Sequence, residues 1–180
     1  VWGGLQSMLD CDVPIVAHIT GACMGAGVEI ASCCDIRIAG SSARFGAPIA
    51  RLGFPMAPRE AQLVAGAVGD VTARQMLLEA ATFSAAEMLA RGFLSRVTEP
   101  ALLAADALGT ACRVAALAPG AARMNKQTFR ALKVPQAHDG KAQAAIENIV
   151  DGTPGPYACA DSAEHREGIA AFLAKRSPVF

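Results

Sequence analysis

The sequence predicts an α/β fold, a βαβ-based layer followed by a mostly helical C-terminal part. Three observations carry this expectation. A short, partly β-branched apolar run, Val13-Pro14-Ile15-Val16-Ala17-His18-Ile19-Thr20, is followed at once by Gly21, Gly25 and Gly27 and then by the apolar stretch Val28–Cys34. That is the pattern of a buried strand, a glycine turn and a short buried helix. Next, Asp35-Ile36-Arg37-Ile38-Ala39 alternates and is β-rich, which closes a crossover unit of the kind that builds a largely buried parallel sheet. From Arg59 onward the punctuation becomes that of helices.

The elements follow in order. Residues 40–58 carry Gly46, Pro48, Gly53 and Pro55 in loop-like spacing, so an irregular surface stretch is expected. Arg59–Val68 reads as a helix ended by Gly69, and Asp70 is placed to cap the next helix, through Met76, Leu77 and Leu78. Ser84-Ala85-Ala86-Glu87 has capping-box spacing, and Gly92 closes that helix three residues after Leu89. Phe93–Val97 is a short strand candidate. Ala101–Leu117 is an alanine- and leucine-rich helix expected to stop before Pro119, and Ala121–Leu132, Lys141–Val150 and Ser162–Lys175 are further helices, with a loop at residues 151–156.

Composition narrows the function classes. A chain of 180 residues with 53% hydrophobic and 18% charged residues has enough apolar content for one real core and is not a disordered linker. Its 16 basic and 16 acidic residues balance, so the basic excess of a nucleic-acid binder is missing. No run of 18 apolar residues lacks a charge, so no membrane span is expected, and Val1-Trp2-Gly3-Gly4 has no basic start of a signal peptide. The first residue is Val rather than Met, which suggests a start inside a longer reading frame or after processing. The cysteines at 11, 23, 33, 34, 112 and 159 form no CxxC pair, and His18, His138 and His165 are far apart in sequence. No metal site is expected from such spacing; small buried or half-buried thiols in a reducing cytoplasm are.

The chemistry concentrates in Gly21-Ala22-Cys23-Met24-Gly25-Ala26-Gly27-Val28-Glu29. Small residues let the backbone approach a ligand, and a turn that opens a helix leaves N–H groups without partners in the chain. Such groups can donate to a developing oxyanion, each worth roughly 3 kcal/mol in a transition state. Glu29 has two readings. It is either a partner of the helix dipole, worth about 0.3–1 kcal/mol, or a carboxylate in an apolar pocket with a raised pKa, ready for proton transfer. A dinucleotide fingerprint, a P-loop and a GxSxG elbow are all incomplete or missing.

Taken together, Val13–Gly21, Gly25-Ala26-Gly27-Val28-Glu29-Ile30-Ala31 and Cys34-Asp35-Ile36-Arg37-Ile38-Ala39 resemble the signature of the crotonase (enoyl-CoA hydratase/isomerase) family. Ala43-Arg44-Phe45-Gly46-Ala47-Pro48 with Leu52-Gly53 resembles its next loop, Ser84–Val97 its helix–strand segment, and Arg166–Arg176 its closing helix. The resemblance implies a partial ββα spiral core over 1–98 holding an acyl-CoA pocket. It implies a helical C-terminal trimerisation region over 99–180, with homotrimers or hexamers. It also implies an acyl-CoA thioester substrate, with coenzyme A entering as part of that substrate and no further cofactor. The thioester carbonyl would be held by two backbone N–H groups, one at the position of Ala26, flanked by Gly25 and Gly27, the other in the family's N-terminal part, which this chain lacks. Hydratases of the family hold water with two glutamates. The first matches Glu29, and the second falls at Ile49, 20 positions later, where isoleucine can neither take nor give a proton. Arg59 and Glu60 follow this loop within reach of the pocket, but as helix-start residues they are expected at the surface. The family's CoA-adenine contacts match Phe172 and Lys175; on the residues alone, a core Phe and a solvated Lys serve as well. An enoyl-CoA hydratase-like enzyme is the first expectation. Isomerisation, decarboxylation or C–C cleavage on the same scaffold is the second, and a non-catalytic acyl-CoA-binding protein the third.

Overall fold

The computed structural model describes residues 2–132 and 162–180. The helix expected at Lys141–Val150, the loop at 151–156, His138 and Cys159 lie outside the described residues. The chain divides into two compact units, one comprising Val1–Cys11 and Ile15–Ala111, the other Asp12–Pro14 and Cys112–Phe180.

The first unit opens with α1 (Trp2–Asp10), a helix that the glycine pair Gly3-Gly4 conceals in the sequence. It continues through β1 (Val16–Ile19), β2 (Ala22–Met24), α2 (Ala26–Ser32), β3 (Ile36–Gly40), β4 (Arg44–Gly46), a 3-10 helix (Pro48–Leu52) and α3 (Pro58–Val68). The pattern strand–strand–helix thus occurs twice, the second time with the 3-10 turn inserted. The two copies stack: β1 pairs parallel with β3, with Val16 opposite Ile36, and β2 pairs parallel with β4, with Met24 opposite Gly46. The fold is therefore a partial ββα spiral. It corrects the single sheet expected from the crossover pattern, because the strands form two three-stranded sheets, β1-β3-β6 and β2-β4-β5. Here β5 is Thr82–Ser84, antiparallel to β4, and β6 is Arg96–Thr98, parallel to β3. The stretch after Gly40 is likewise not surface-forming throughout, since Phe45 and Ala47 are fully buried.

The core lies among these coils. Val28 of α2, Phe45 of β4 and Val64 of α3 are fully buried with Met76 of α4 (Asp70–Leu78), Met88 of α5 (Ala85–Ala90) and Phe93. Phe45 and Phe93 meet edge-to-face at 5.9 Å between ring centres. A smaller cluster joins Ile38 to Leu103 and Ala107 of α6 (Leu103–Ala115). Arg37 runs through the unit with its guanidinium over the Phe93 ring at 4.7 Å, donating to the carbonyls of Phe93 and Cys34. It thereby satisfies the C-terminal end of α2.

Cap chemistry differs from expectation at two places. Asp70 does not cap α4: the cap position is Gly69, with no side-chain bond, and Asp70 instead pairs one turn on with Arg74 at 2.7 Å. The preceding helix, α6, ends at Ala115, before Pro119 as expected, but the next, α7 (Pro119–Leu132), begins at Pro119 rather than at Ala121, because a proline at the first helical position loses no intrahelical bond. The Ser84 capping box forms as its spacing predicts, with the hydroxyl accepting from the Glu87 N–H and the Glu87 carboxylate accepting from the Ser84 N–H at 2.7 Å. Gly92 follows α5 at φ 79° and donates to the Leu89 carbonyl.

In the second unit, α7 and α8 (Ala163–Leu173) are joined where the Glu164 carboxylate accepts from the Gly120 N–H at 3.0 and 3.1 Å, a charged cap on the first turn of α7. Asp12 accepts from Gln127 at 2.9 Å and from Arg130. Among the described residues no helix is long and apolar enough to cross a membrane. Cys23, Cys33 and Cys34 are buried, whereas Cys112 is exposed, against the expectation of buried or half-buried thiols.

Replacing Ser84 by Ala should remove the cap of α5. Urea denaturation should show a loss of about 1 kcal/mol with an unchanged m-value.

Candidate active site

The site is built on the turn between β2 and α2. Gly25 sits at φ 52°, ψ −115°, a backbone conformation that side chains resist, and it is the cap residue of α2. Its N–H donates to the Gly46 carbonyl at 2.9 Å, and its own carbonyl accepts from Val28 at 2.9 Å and Glu29 at 3.2 Å. The next two N–H groups, of Ala26 and Gly27, find no acceptor among the described residues. Ala26 is exposed, so its N–H is open to a ligand, and its methyl group is no obstacle. A side chain at Gly27 would only touch the Cys23 sulfur, at 3.5 Å, so that glycine is not required by space. Burial pushes the Cys23 thiol beneath it up to about 11, with a further push from Cys34, which leaves it inert as a nucleophile.

One turn into α2, Glu29 is only 8% exposed, yet its carboxyl has no hydrogen bond and no ion pair among the described residues. Burial raises its pKa above the ordinary 4.5, and the charge of Glu60 raises it further. A surface helix-dipole partner would be exposed and lowered, so the apolar-pocket reading of this residue fits better. Ile49 lies half-buried in the 3-10 helix and contributes no titratable group.

Glu60 corrects the sequence expectation. It is half-buried, in the first turn of α3, and it faces the core side of that helix rather than solvent. Its neighbour Arg59 turns the other way and stacks over the Trp2 ring at 5.7 Å. The only sequence signal for Glu60 was its spacing of four and eight residues from Val64 and Val68, which put all three on one stripe. In the second unit, Phe172 is 80% exposed, which rules out the core role, and Lys175 follows α8 at φ 53°. The described residues hold no cluster of His, Cys, Asp or Glu suited to a metal.

The comparisons with known proteins bear on this arrangement directly. The family model described as enoyl-CoA hydratase/isomerase matches residues 2–180. The chain belongs to the enoyl-CoA hydratase/isomerase family. It is similar to the 2,3-dehydroadipyl-CoA hydratase of Escherichia coli, 31% identical over 100% of the chain and 66% of that protein. It is also similar to the short-chain-enoyl-CoA hydratase of Clostridium acetobutylicum, 32% identical over 91% of the chain and 59% of that protein. The chain thus spans about two thirds or less of the length of these relatives. Among solved structures, human enoyl coenzyme A hydratase domain-containing protein 3 superposes with a TM-score of 0.82 at 28% identity, covering 99% of the chain and 67% of that protein.

The raised carboxyl of Glu29 has a thermodynamic signature. A folded-state pKa above the unfolded one means that the ionised group costs stability at neutral pH, a cost that vanishes as pH falls through the folded value and then the unfolded one. Glu29→Gln should therefore be more stable than the wild type at pH 7, with the advantage shrinking as both are acidified. Equilibrium urea unfolding across that range measures it.

Proposed function

We propose that the protein is an enoyl-CoA hydratase-like enzyme. It polarises the thioester carbonyl of a 2-enoyl-CoA through backbone N–H groups that include Ala26, and uses Glu29 for proton transfer. The observation that carries this reading is the pairing of an unpartnered, buried carboxyl with two unpartnered N–H groups three and two residues before it. An oxyanion at Ala26 and a proton delivered by Glu29 are the two needs of thioester enolate chemistry: stabilising the charge on oxygen and supplying hydrogen to the neighbouring carbon. The hydratase names of the E. coli and Clostridium relatives agree with it.

The remaining assignments follow from the same resemblance. Gly25 and Gly27 shape the turn around the thioester, and Ile49 lines the acyl side. Phe172 and Lys175, both exposed on or just after α8, suit contact with the CoA adenine in an assembled oligomer. Exposed Phe129 and Leu132 on α7 and Leu173 on α8 support self-association of the helical region as a trimer or hexamer. We place the protein in the cytoplasm, with coenzyme A arriving only as part of the substrate. The boundary of the spiral part is put near residue 98. A second reading, a reaction such as isomerisation or decarboxylation in which no water is activated beside the 3-10 helix, is favoured by the apolar Ile49 alone.

Steady-state hydration of short and medium 2-enoyl-CoA thioesters by the full-length protein should be measurable, and Glu29→Gln should lower kcat by roughly 10²–10⁴-fold. Tight acyl-CoA binding without turnover in the wild type would sink the hydratase reading.

A further inference from the structure

Among the described residues, Glu60 is the acidic residue whose charge Glu29 feels. Helices α2 and α3 pack against each other, and each carries a carboxylate within its first two turns. On α3, Glu60 lies above Val64 and Val68, which are 0% and 2% exposed, so the stripe it shares is the one pressed onto the core. On α2, Glu29 shares its stripe with Ser32 and Cys33, 3% and 5% exposed. Arg59, next to Glu60, holds its guanidinium over the Trp2 ring at 5.7 Å. Neither carboxylate has an ion-pair partner among the described residues. Burial and the charge of Glu60 both disfavour an ionised Glu29, a cost that is out of place on a purely structural helix end.

Hydration of a 2-enoyl thioester requires two proton movements at different places. A water oxygen bonds to the β-carbon and gives up a proton, while the electron pair of the double bond moves to the α-carbon and thioester carbonyl. The α-carbon then takes a proton as the carbonyl re-forms. We infer that Glu60 is the second proton-transfer group of the site, receiving the proton of the attacking water while Glu29 delivers one to the α-carbon. The assignment rests on the hydratase reading above. It divides the roles by exposure: Glu60, half-buried at the open end of α3, meets incoming water, and Glu29, 8% exposed, meets the carbon. The net change is the addition of one water. Glu60 ends protonated and Glu29 ionised, and return of that proton from Glu60 to Glu29 through water resets the pair. The isoleucine at position 49 is thereby relieved of any part in the chemistry.

The test compares full-length wild type, Glu29→Gln, Glu60→Gln and Glu60→Asp in hydration of a short 2-enoyl-CoA, with Tm measured for each. The expected result is a kcat for Glu60→Gln lower by roughly 10²–10⁴-fold at nearly constant KM. Its Tm should be unchanged or raised, because a like charge has been removed, and Glu60→Asp should recover part of the rate. A residue that merely supported α3 would instead lower Tm. If Tm falls together with kcat, the aspartate variant decides: recovery of rate upholds the role, and a rate no better than that of the glutamine variant overturns it. Wild-type rate in Glu60→Gln beside an inactive Glu29→Gln overturns the role of Glu60 and leaves the hydratase reading standing. No hydration by the wild type overturns both.

Discussion

The hydrogen bond from the Gly25 N–H to the Gly46 carbonyl, 2.9 Å long, holds the two coils of the spiral in step. It continues the β2–β4 ladder one residue past Met24 opposite Gly46, and it ends that ladder in a conformation only glycine adopts readily. Gly46 is needed for the approach. A β-carbon there would lie 3.0 Å from the Ala81 carbonyl and from the Thr82 methyl, and 3.3 Å from the Met24 sulfur. With the turn pinned at that point, α2 starts at Ala26, and the N–H groups of Ala26 and Gly27 are left without acceptors among the described residues. Glu29 then falls on the inner side of the next turn. The position of every proposed functional group on α2 is a consequence of that one contact between coils.

The far end of α2 is held just as firmly. Arg37 brings a guanidinium under the helix, where burial lowers its pKa, and spends its donors on the carbonyls of Cys34 and Phe93 with the Phe93 ring beneath. A short helix of this kind has little stability of its own. Fixed at its start by a backbone ladder and at its finish by a buried cation, it can hold an unpartnered carboxyl in a chosen place. The anchors lie on two strands of the next coil, β4 before and β3 after, the latter joined by the carbonyl and ring of Phe93, so α2 is placed by its neighbours.

Much of this was legible in the residues. The run Val16–Ile19 and the alternation Ile36–Ala39 announce their strands because their burial pattern is carried by their own side chains. The glycine turn, Glu29 and the capping box at Ser84 were readable for the same reason: each is a local rule with local residues. What escaped was non-local. β2 is three residues between glycines, and only pairing with Arg44–Gly46 makes Ala22–Met24 a strand. The second sheet was therefore invisible. Pro119 is equally consistent with ending one helix or beginning the next, and the Glu164 cap that favours the second comes from 44 residues away. Glu60 looked like any charged helix start, because its partial burial comes from the packing of α3 against α2, a contact between elements. The mismatch at Ile49, by contrast, was plain from the resemblance to the crotonase signature, yet the resemblance had no means of pointing to a residue on another element.

The stacking of β1 on β3 and of β2 on β4 gives the spiral a modular economy. Each coil fixes its neighbour through backbone bonds that ignore side-chain identity, as in linear repeat architectures. The first coil can therefore keep its glycine turn while the segment hanging from the second, the 3-10 helix with Ile49, is rewritten by mutation. Under the proposed function, divergence of this sort leaves the charge-stabilising half of the reaction intact and frees the proton-handling half to be reassigned among whatever side chains the next helix presents. A scaffold divided in this way is suited to acquiring new chemistries without refolding.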